Sequence, residues 1–282
     1  MSQTAIEVLN CRWIMHVFDI HHDIATSKLA ATVPNTSTTG LWLCLFPLWL
    51  KYKMSGELFL YPRIPKEGEE SLADIVTART LFFNQIIESQ IGGVEQFVLM
   101  GAGYDTRAYG TFQRGDIIFF ELDQPLVQQY KRSALAEAGI DAGHVRFAAV
   151  DFSRENAMEK LKREGLDFTK KTIFLWEGVT LYLSEEAVRK TMQEIHSHAA
   201  PGSVLVADIY ADRYVQMGKT GWGKKVLEYT NEGFGFSLPF ISNYHDTLSN
   251  FVESEKMLVG KSFFMGSENE KGPFMVVVEM RI

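Results

Sequence analysis

Four short stretches of this 282-residue chain combine glycine or carboxylate with apolar flanks in ways that could grip a polar ligand. The first is Gly101-Ala102-Gly103-Tyr104-Asp105-Thr106-Arg107, directly after the apolar run Phe97 to Met100. Glycines there let the backbone turn sharply and approach a ligand closely, at the carboxyl edge of a sheet where open α/β folds bind nucleotide cofactors. Thr106 stands where a dinucleotide fingerprint would place its third glycine, which argues against a nicotinamide cofactor. Asp123 closes the second apolar run about 20 residues beyond Gly103, the separation at which a carboxylate meets the vicinal hydroxyls of a ribose. Glu121 shares its face by strand alternation and competes for that contact, while Asp123 could instead cap the helix that begins near Pro125.

Asp151-Phe152 ends a third apolar run in an equivalent place, where a carboxylate and a ring suit an adenine amino group and its flat face. The competing reading has Asp151 capping the helix that follows. Glu177 heads Glu177-Gly178-Val179-Thr180-Leu181-Tyr182-Leu183 after Phe174-Leu175-Trp176. A carboxylate at the mouth of so hydrophobic a strand is costly unless it meets a cation or hydrogen-bond donors, and the ammonium of an adenosyl sulfonium would be such a cation. No residue reads as an evident general base. Tyr104 and Tyr182 are the weak catalytic candidates; His16, His21, His22, His196, His198 and His245 read as structural, and Arg107 as either an anion binder or a helix-surface salt bridge. Nothing has the spacing of a metal site.

These residues need elements to hold them. Short apolar runs alternating with amphipathic stretches predict βαβ units and a parallel sheet, with strands over Phe97 to Met100, Ile117 to Leu122, Val145 to Val150, Thr172 to Trp176 and Val204 to Ile209. Helices are predicted from Ser71 to Gly92-Gly93, Pro125 to Ala138, Ser153 to Arg163 and Ser184 to Ala199. Lys256 to Phe264 and Phe274 to Ile282 are joined by a turn too short for a crossover helix, so they must pair antiparallel. The expected fold is α/β, doubly wound, with a mostly parallel seven-stranded sheet and a C-terminal antiparallel hairpin, the Rossmann-like arrangement of class I methyltransferases. Residues 71–282 would form that core. Residues 1–70, with weak periodicity, predict a helical lid or substrate segment, and 211–241, rich in Gly, Tyr, Phe and Lys, a lid-like insertion. The apolar run Leu41 to Leu50 is half a membrane span and contains Pro47, so it predicts a buried segment or pocket wall. Trp42, Phe46, Trp49 and Tyr52, with Trp222, Tyr229, Phe234 and Phe236, read as pocket wall or ordinary core.

The ordered set of motifs resembles the leucine carboxyl methyltransferase-like family, which also contains proteins classed as polyketide O-methyltransferases. The resemblance spans about residues 71–210 and is carried by Ala78-Arg79-Thr80, Val98 to Arg107, Phe120 to Pro125, and Trp176 to Leu183. It implies S-adenosyl-L-methionine as cofactor and assigns Arg79 to the carboxylate of its methionine moiety, which suits a planar bidentate donor. It likewise assigns Gly101, Asp123, Asp151, Phe152 and Glu177 to cofactor contact, to which the reading of the residues adds Ala102 and Gly103 of the turn and Glu121 beside Asp123. The family's basic residue after the second strand is matched loosely by Lys131, and the first 70 residues match no member of known substrate.

Bulk properties narrow the partners. A formal net charge of −7 offers no attraction for nucleic acid. The two cysteines, Cys11 and Cys44, read as small buried hydrophobes in a reducing compartment. The N-terminus has no basic start and no small-residue cleavage site, so a cytoplasmic protein off the membrane is expected; oligomeric state is left open. The function expected is O-methylation of a hydroxyl or carboxyl on a small, largely apolar molecule. Carboxyl methylation of a protein C-terminus, a cofactor-binding regulator without turnover and a nicotinamide dehydrogenase are the alternatives.

Overall fold

The computed structural model describes residues 3–34, 36–58, 64–152, 154–218 and 233–282. Seven strands form one sheet: β1 (Gln96–Met100), β2 (Ile118–Asp123), β3 (Val145–Ala149), β4 (Thr172–Trp176), β5 (Val204–Tyr210), β6 (Leu258–Met265) and β7 (Met275–Arg281). Their order is β3-β2-β1-β4-β5-β7-β6. β1 to β5 pair in parallel, whereas β7 is antiparallel to both β5 and β6. The expected strands and terminal hairpin are present, with ends shifted by one or two residues.

Near-continuous apolar strands are needed because both faces of this sheet are covered. Alternation then feeds two cores. Phe97, Leu99, Phe119, Ile173, Leu175 and Val206 pack on one side, while Val98, Met100, Phe120, Leu122, Phe174, Trp176 and Leu205 pack on the other.

Among the described residues the helices are α1 (Gln3–Val17), α2 (Ile24–Ala30), α3 (Thr38–Ser55), α4 (Ile75–Gln90), α5 (Pro125–Glu137), α6 (Ala157–Arg163), α7 (Glu185–His198), α8 (Asp212–Gly218) and α9 (Tyr244–Ser254). Ser71 donates from its N–H (2.8 Å) and hydroxyl (2.6 Å) to Asp74, and a 3-10 turn over Leu72–Asp74 leads into α4. α6 begins later than the expected Ser153, which lies outside the described residues, because Asn156 accepts the Glu159 N–H at 2.9 Å and is the cap. Part of the 211–241 stretch, including Trp222 and Tyr229, also lies outside them.

α1 and α2 share the first core with the sheet: Leu9, Trp13 and Leu29, with Phe18 just past α1, pack in the same cluster as Phe83, Ile86 and Leu99. α3 departs from expectation. None of its residues is fully buried, and Leu43 is 71% and Met54 81% exposed. Cys44 is exposed on this helix and Cys11 half-buried on α1, so neither is the buried hydrophobe expected. The reason is composition: α3 is apolar on every side, only one side can rest on the body, and Leu41, Trp42, Leu45, Leu48 and Trp49 take that side. No helix among the described residues is long and apolar enough to cross a membrane.

Candidate active site

The carboxyl edge of β1 turns at Gly101, whose φ of +72° belongs to the left-handed region, and a Cβ there would collide with the Val179 side chain. Both Gly101 and Ala102 donate their N–H groups to the Leu122 carbonyl, at 2.8 and 2.9 Å. Gly103 donates to Asp123 Oδ2 at 2.6 Å, so the turn and the end of β2 are one unit. Burial raises the Asp123 carboxyl above its ordinary value against the pull of the Gly103 and Gln124 N–H groups. Asp123 does not cap α5: the cap position is Gln124, and Pro125 opens the helix.

Glu121 lies deeper on β2, 1% exposed, with Lys131 Nζ at 2.7 Å from its Oε2. Lys131 also donates to the Asp105 carbonyl at 2.7 Å, tying the glycine turn to α5. Asp151 is part-exposed beyond β3, and Phe152 sits half-buried with its ring 6.2 Å from that of Trp176. Asn156, and not Asp151, caps α6.

Glu177, at the end of β4, is the centre of an ion network spread over five segments of the chain. Arg12 Nη2 donates to Oε1 and Oε2 at 2.8 and 2.9 Å, Arg79 Nε to Oε1 at 3.2 Å, and Arg107 Nη1 to Oε2 at 2.6 Å. Arg12 Nη1 and Arg107 Nη1 also meet Asp105 Oδ2, at 2.9 and 2.5 Å. Arg79 Nη1 completes the set with Tyr210 (2.8 Å) and Asp208 (3.3 Å). Asp208 accepts the Gly178 N–H at 2.9 Å and the Tyr210 hydroxyl at 3.2 Å. Three guanidinium groups therefore face three carboxylates, none with a side chain more than 10% exposed.

The network pushes its acids apart. Burial alone would raise Glu177, yet Arg107, Arg12 and Arg79 bring it down to about 2. Asp208 is dominated by burial and rises to about 6, with Arg79 and the Gly178 N–H opposing. Arg107 is 3% exposed, so the surface salt-bridge reading does not hold, and its Nη2 is buried without a hydrogen-bond partner among the described residues. Gly178, with φ +68°, lets Arg79 pass: a Cβ there would stand 3.2 Å from Nη1.

Of the residues singled out from sequence, Arg79 and Glu177 are in direct contact, and Gly103 touches Asp123. Tyr104 is buried, and its hydroxyl has no hydrogen-bond partner among the described residues. Tyr182 stands with Phe234 at 6.0 Å between ring centres, in a group that continues through Tyr214 to Tyr210. His196 and His198 end α7 as expected. Arg12, Asp208 and Tyr210 were not anticipated. A carboxylate inside Val204-Leu205-Val206-Ala207-Asp208-Ile209-Tyr210 carries the signal that marked Glu177, an acid in a fully apolar strand; Arg12 has no such local mark. Among the described residues no group of three or more His, Cys, Asp and Glu could hold a metal ion.

Five parallel strands closed by an antiparallel hairpin, with a glycine turn tied to the acid ending β2, define the class I methyltransferase fold. The chain belongs to the family described as Leucine carboxyl methyltransferase, which matches residues 49–196. It is 32% identical over 156 residues to a protein of Mycobacterium avium (strain 104), provisionally named an S-adenosyl-L-methionine-dependent methyltransferase, covering 54% of this chain and 51% of that one. A Bacillus subtilis protein with the same provisional name, YktD, is 29% identical over 186 residues, covering 64% and 60%. The chain thus spans about half the length of the curated relatives it matches. A solved structure of a DUF574 family protein from Streptomyces avermitilis shares the fold at a TM-score of 0.53 and 13% identity, over 73% of this chain and 83% of that one.

Proposed function

We propose that the chain is an S-adenosyl-L-methionine-dependent O-methyltransferase acting on a hydroxyl or carboxyl of a small, largely apolar molecule. The observation that supports it is the junction of the Gly101–Gly103 turn with Asp123 beside a buried arginine cluster. That cluster suits the methionine end of the cofactor. It is balanced in charge, so a zwitterion adds no net charge, and Arg107 Nη2 is a buried donor without an acceptor. Arg79, with Arg107 and Arg12, would take the carboxylate and Glu177 the ammonium; Asp123 would take the ribose hydroxyls, and Asp151 with Phe152 the adenine. Glu121, sealed under Asp123 by Lys131, would act through the position of the turn.

When bound, the cofactor supplies an electrophilic methyl group on a sulfonium. The chain's part is to hold an acceptor oxygen in line with it and to keep water out. α1 serves the second task, with Ala5 lying against Gly103. A carboxylate acceptor is ionised at neutral pH and needs no base, whereas a hydroxyl would draw on Tyr104 or Tyr182. The family match favours a carboxyl acceptor, and counting labelled methyl in metabolite and protein fractions of a lysate separates a small molecule from a protein C-terminus.

Calorimetric titration with S-adenosylhomocysteine tests the reading: binding is expected with it and not with NADH. Asp123→Ala should weaken that binding about 10- to 100-fold, the worth of a charged hydrogen-bond acceptor at roughly 1.5–3 kcal/mol, and, because the Gly103 and Gln124 N–H groups lose their acceptor, it should also lower the melting temperature of the ligand-free protein. Tight binding of NADH alone would sink the proposal.

A further inference from the structure

A cleft of about 470 Å³ opens between the segment leading into α4, the start of α8 and the β6–β7 turn. Leu72 and Phe274 form apolar wall, Tyr214 closes one side, and Glu70, Arg213 and Lys271 supply the charge. It lies one ring away from the arginine network: the Tyr214 ring is 5.0 Å from that of Tyr210, whose hydroxyl accepts from Arg79 Nη1 at 2.8 Å.

The polar groups of the cleft are partly unspent. Glu70 is 5% exposed; its Oε2 accepts the N–H groups of Gly68 and Gly266, both at 2.9 Å, but its Oε1 is buried with no hydrogen-bond partner among the described residues. A buried carboxylate oxygen without a donor is costly, so one that persists marks a place where a donor is to be supplied. Arg213 donates from Nε to the Pro273 carbonyl at 3.2 Å and from Nη2 to the Gly272 carbonyl, which fixes its head, and Nη1 has no hydrogen bond among the described residues. Lys271 is exposed, and its ammonium meets no carboxylate among the described residues. An acceptor of hydrogen bonds and two cationic groups with donors to spare therefore surround an apolar lining.

We infer that this cleft is the docking site of the methyl acceptor, and that the acceptor is an amphiphile. Its apolar body lies against Leu72 and Phe274, an acidic group meets Lys271 and Arg213, and a hydroxyl or amine hydrogen is accepted by Glu70. The inference rests on the methyltransferase reading above and adds to it the location and chemical class of the substrate.

Three naphthalene probes dissect the cleft in calorimetric titrations of the full chain: 6-hydroxy-2-naphthoate (acid and donor), 2-naphthoate (acid alone) and 2-naphthol (donor alone). The hydroxy acid should bind tightest. Lys271→Glu, a surface change, should weaken both acids at least about fivefold and leave 2-naphthol within about twofold. Glu70→Gln should abolish the advantage of the hydroxy acid over 2-naphthoate, and Leu72→Trp, which fills the cleft, should weaken all three. No binding of any probe at millimolar concentration, or isotherms that ignore both Lys271→Glu and Leu72→Trp, overturns the inference. S-adenosylhomocysteine titrated into the same proteins keeps the two readings apart. Its failure to bind the unaltered chain removes the methyltransferase reading, whereas its binding alongside probe isotherms that ignore the substitutions removes the cleft alone.

Discussion

A carboxylate buried among three arginines can be held at low pKa only while all its partners stay in place, and Glu177 is in that position. Replacing it with glutamine leaves Arg12, Arg79 and Arg107 facing a neutral amide, which should cost about 3–5 kcal/mol in urea unfolding. pH should separate the two acids of the network. Glu177 falls from 4.5 to about 2, so its contribution is complete above the ordinary value and is lost as pH drops through 2. Asp208 rises from 3.8 to about 6, so on acidification through that window the folded protein takes up a proton the unfolded chain does not, and stability increases. Asp208→Asn should remove that gain between pH 6 and 4, and Glu177→Gln the loss below it. Unfolding curves for Asp208→Asn that keep the same slope between pH 6 and 4 would contradict the assignment.

Among the elements, α1 and α3 have opposite roles despite lying in one sequence region. α1 brings Arg12 into the network and sets Ala5 against the glycine turn. Arg12→Ala should therefore destabilise the chain by about 3–5 kcal/mol by leaving Asp105 and Glu177 underpaired. Arg12→Lys should recover part of the loss, since an ammonium keeps the charge but not the planar fork that spans two carboxylates. α3 lies at the surface, with Pro47 inside it and an exposed apolar side. Leu43→Glu with Met54→Glu should change the unfolding free energy in urea by no more than about 0.5 kcal/mol while reducing light scattering at high protein concentration. A loss as large as that expected for a core leucine would show that side of α3 to be covered in solution.

For the molecule as a whole, the site is a meeting point of segments far apart in the chain: residues 12, 79, 105–107, 177 and 208 join through side chains. A ligand that touches several of them should tighten all at once. Saturation with S-adenosylhomocysteine is expected to slow amide exchange in α1 as well as at the glycine turn and to raise the unfolding free energy by about 2.7 kcal/mol at 100 times its Kd. Exchange in α1 that ignores the ligand would take α1 out of the site.

What the sequence determined by itself was local. Unbroken apolar runs specify strands covered on both faces, Pro125 and Gly92-Gly93 set helix ends, and the short link before Phe274 forces the last two strands to run antiparallel. The glycine turn and Asp123 could be read together because consecutive parallel strands end at the same edge. Tertiary structure alone decided three further matters. Arg12 reaches Glu177 across 165 positions, a contact set by how α1 packs on the first core and by no period in the chain. Glu121 shares a face with Asp123, but depth within the sheet decides solvation, and one position is covered by Lys131 while the other stands at the rim. α3 is apolar enough for a core, yet burial needs a second surface to pack against, which composition does not supply.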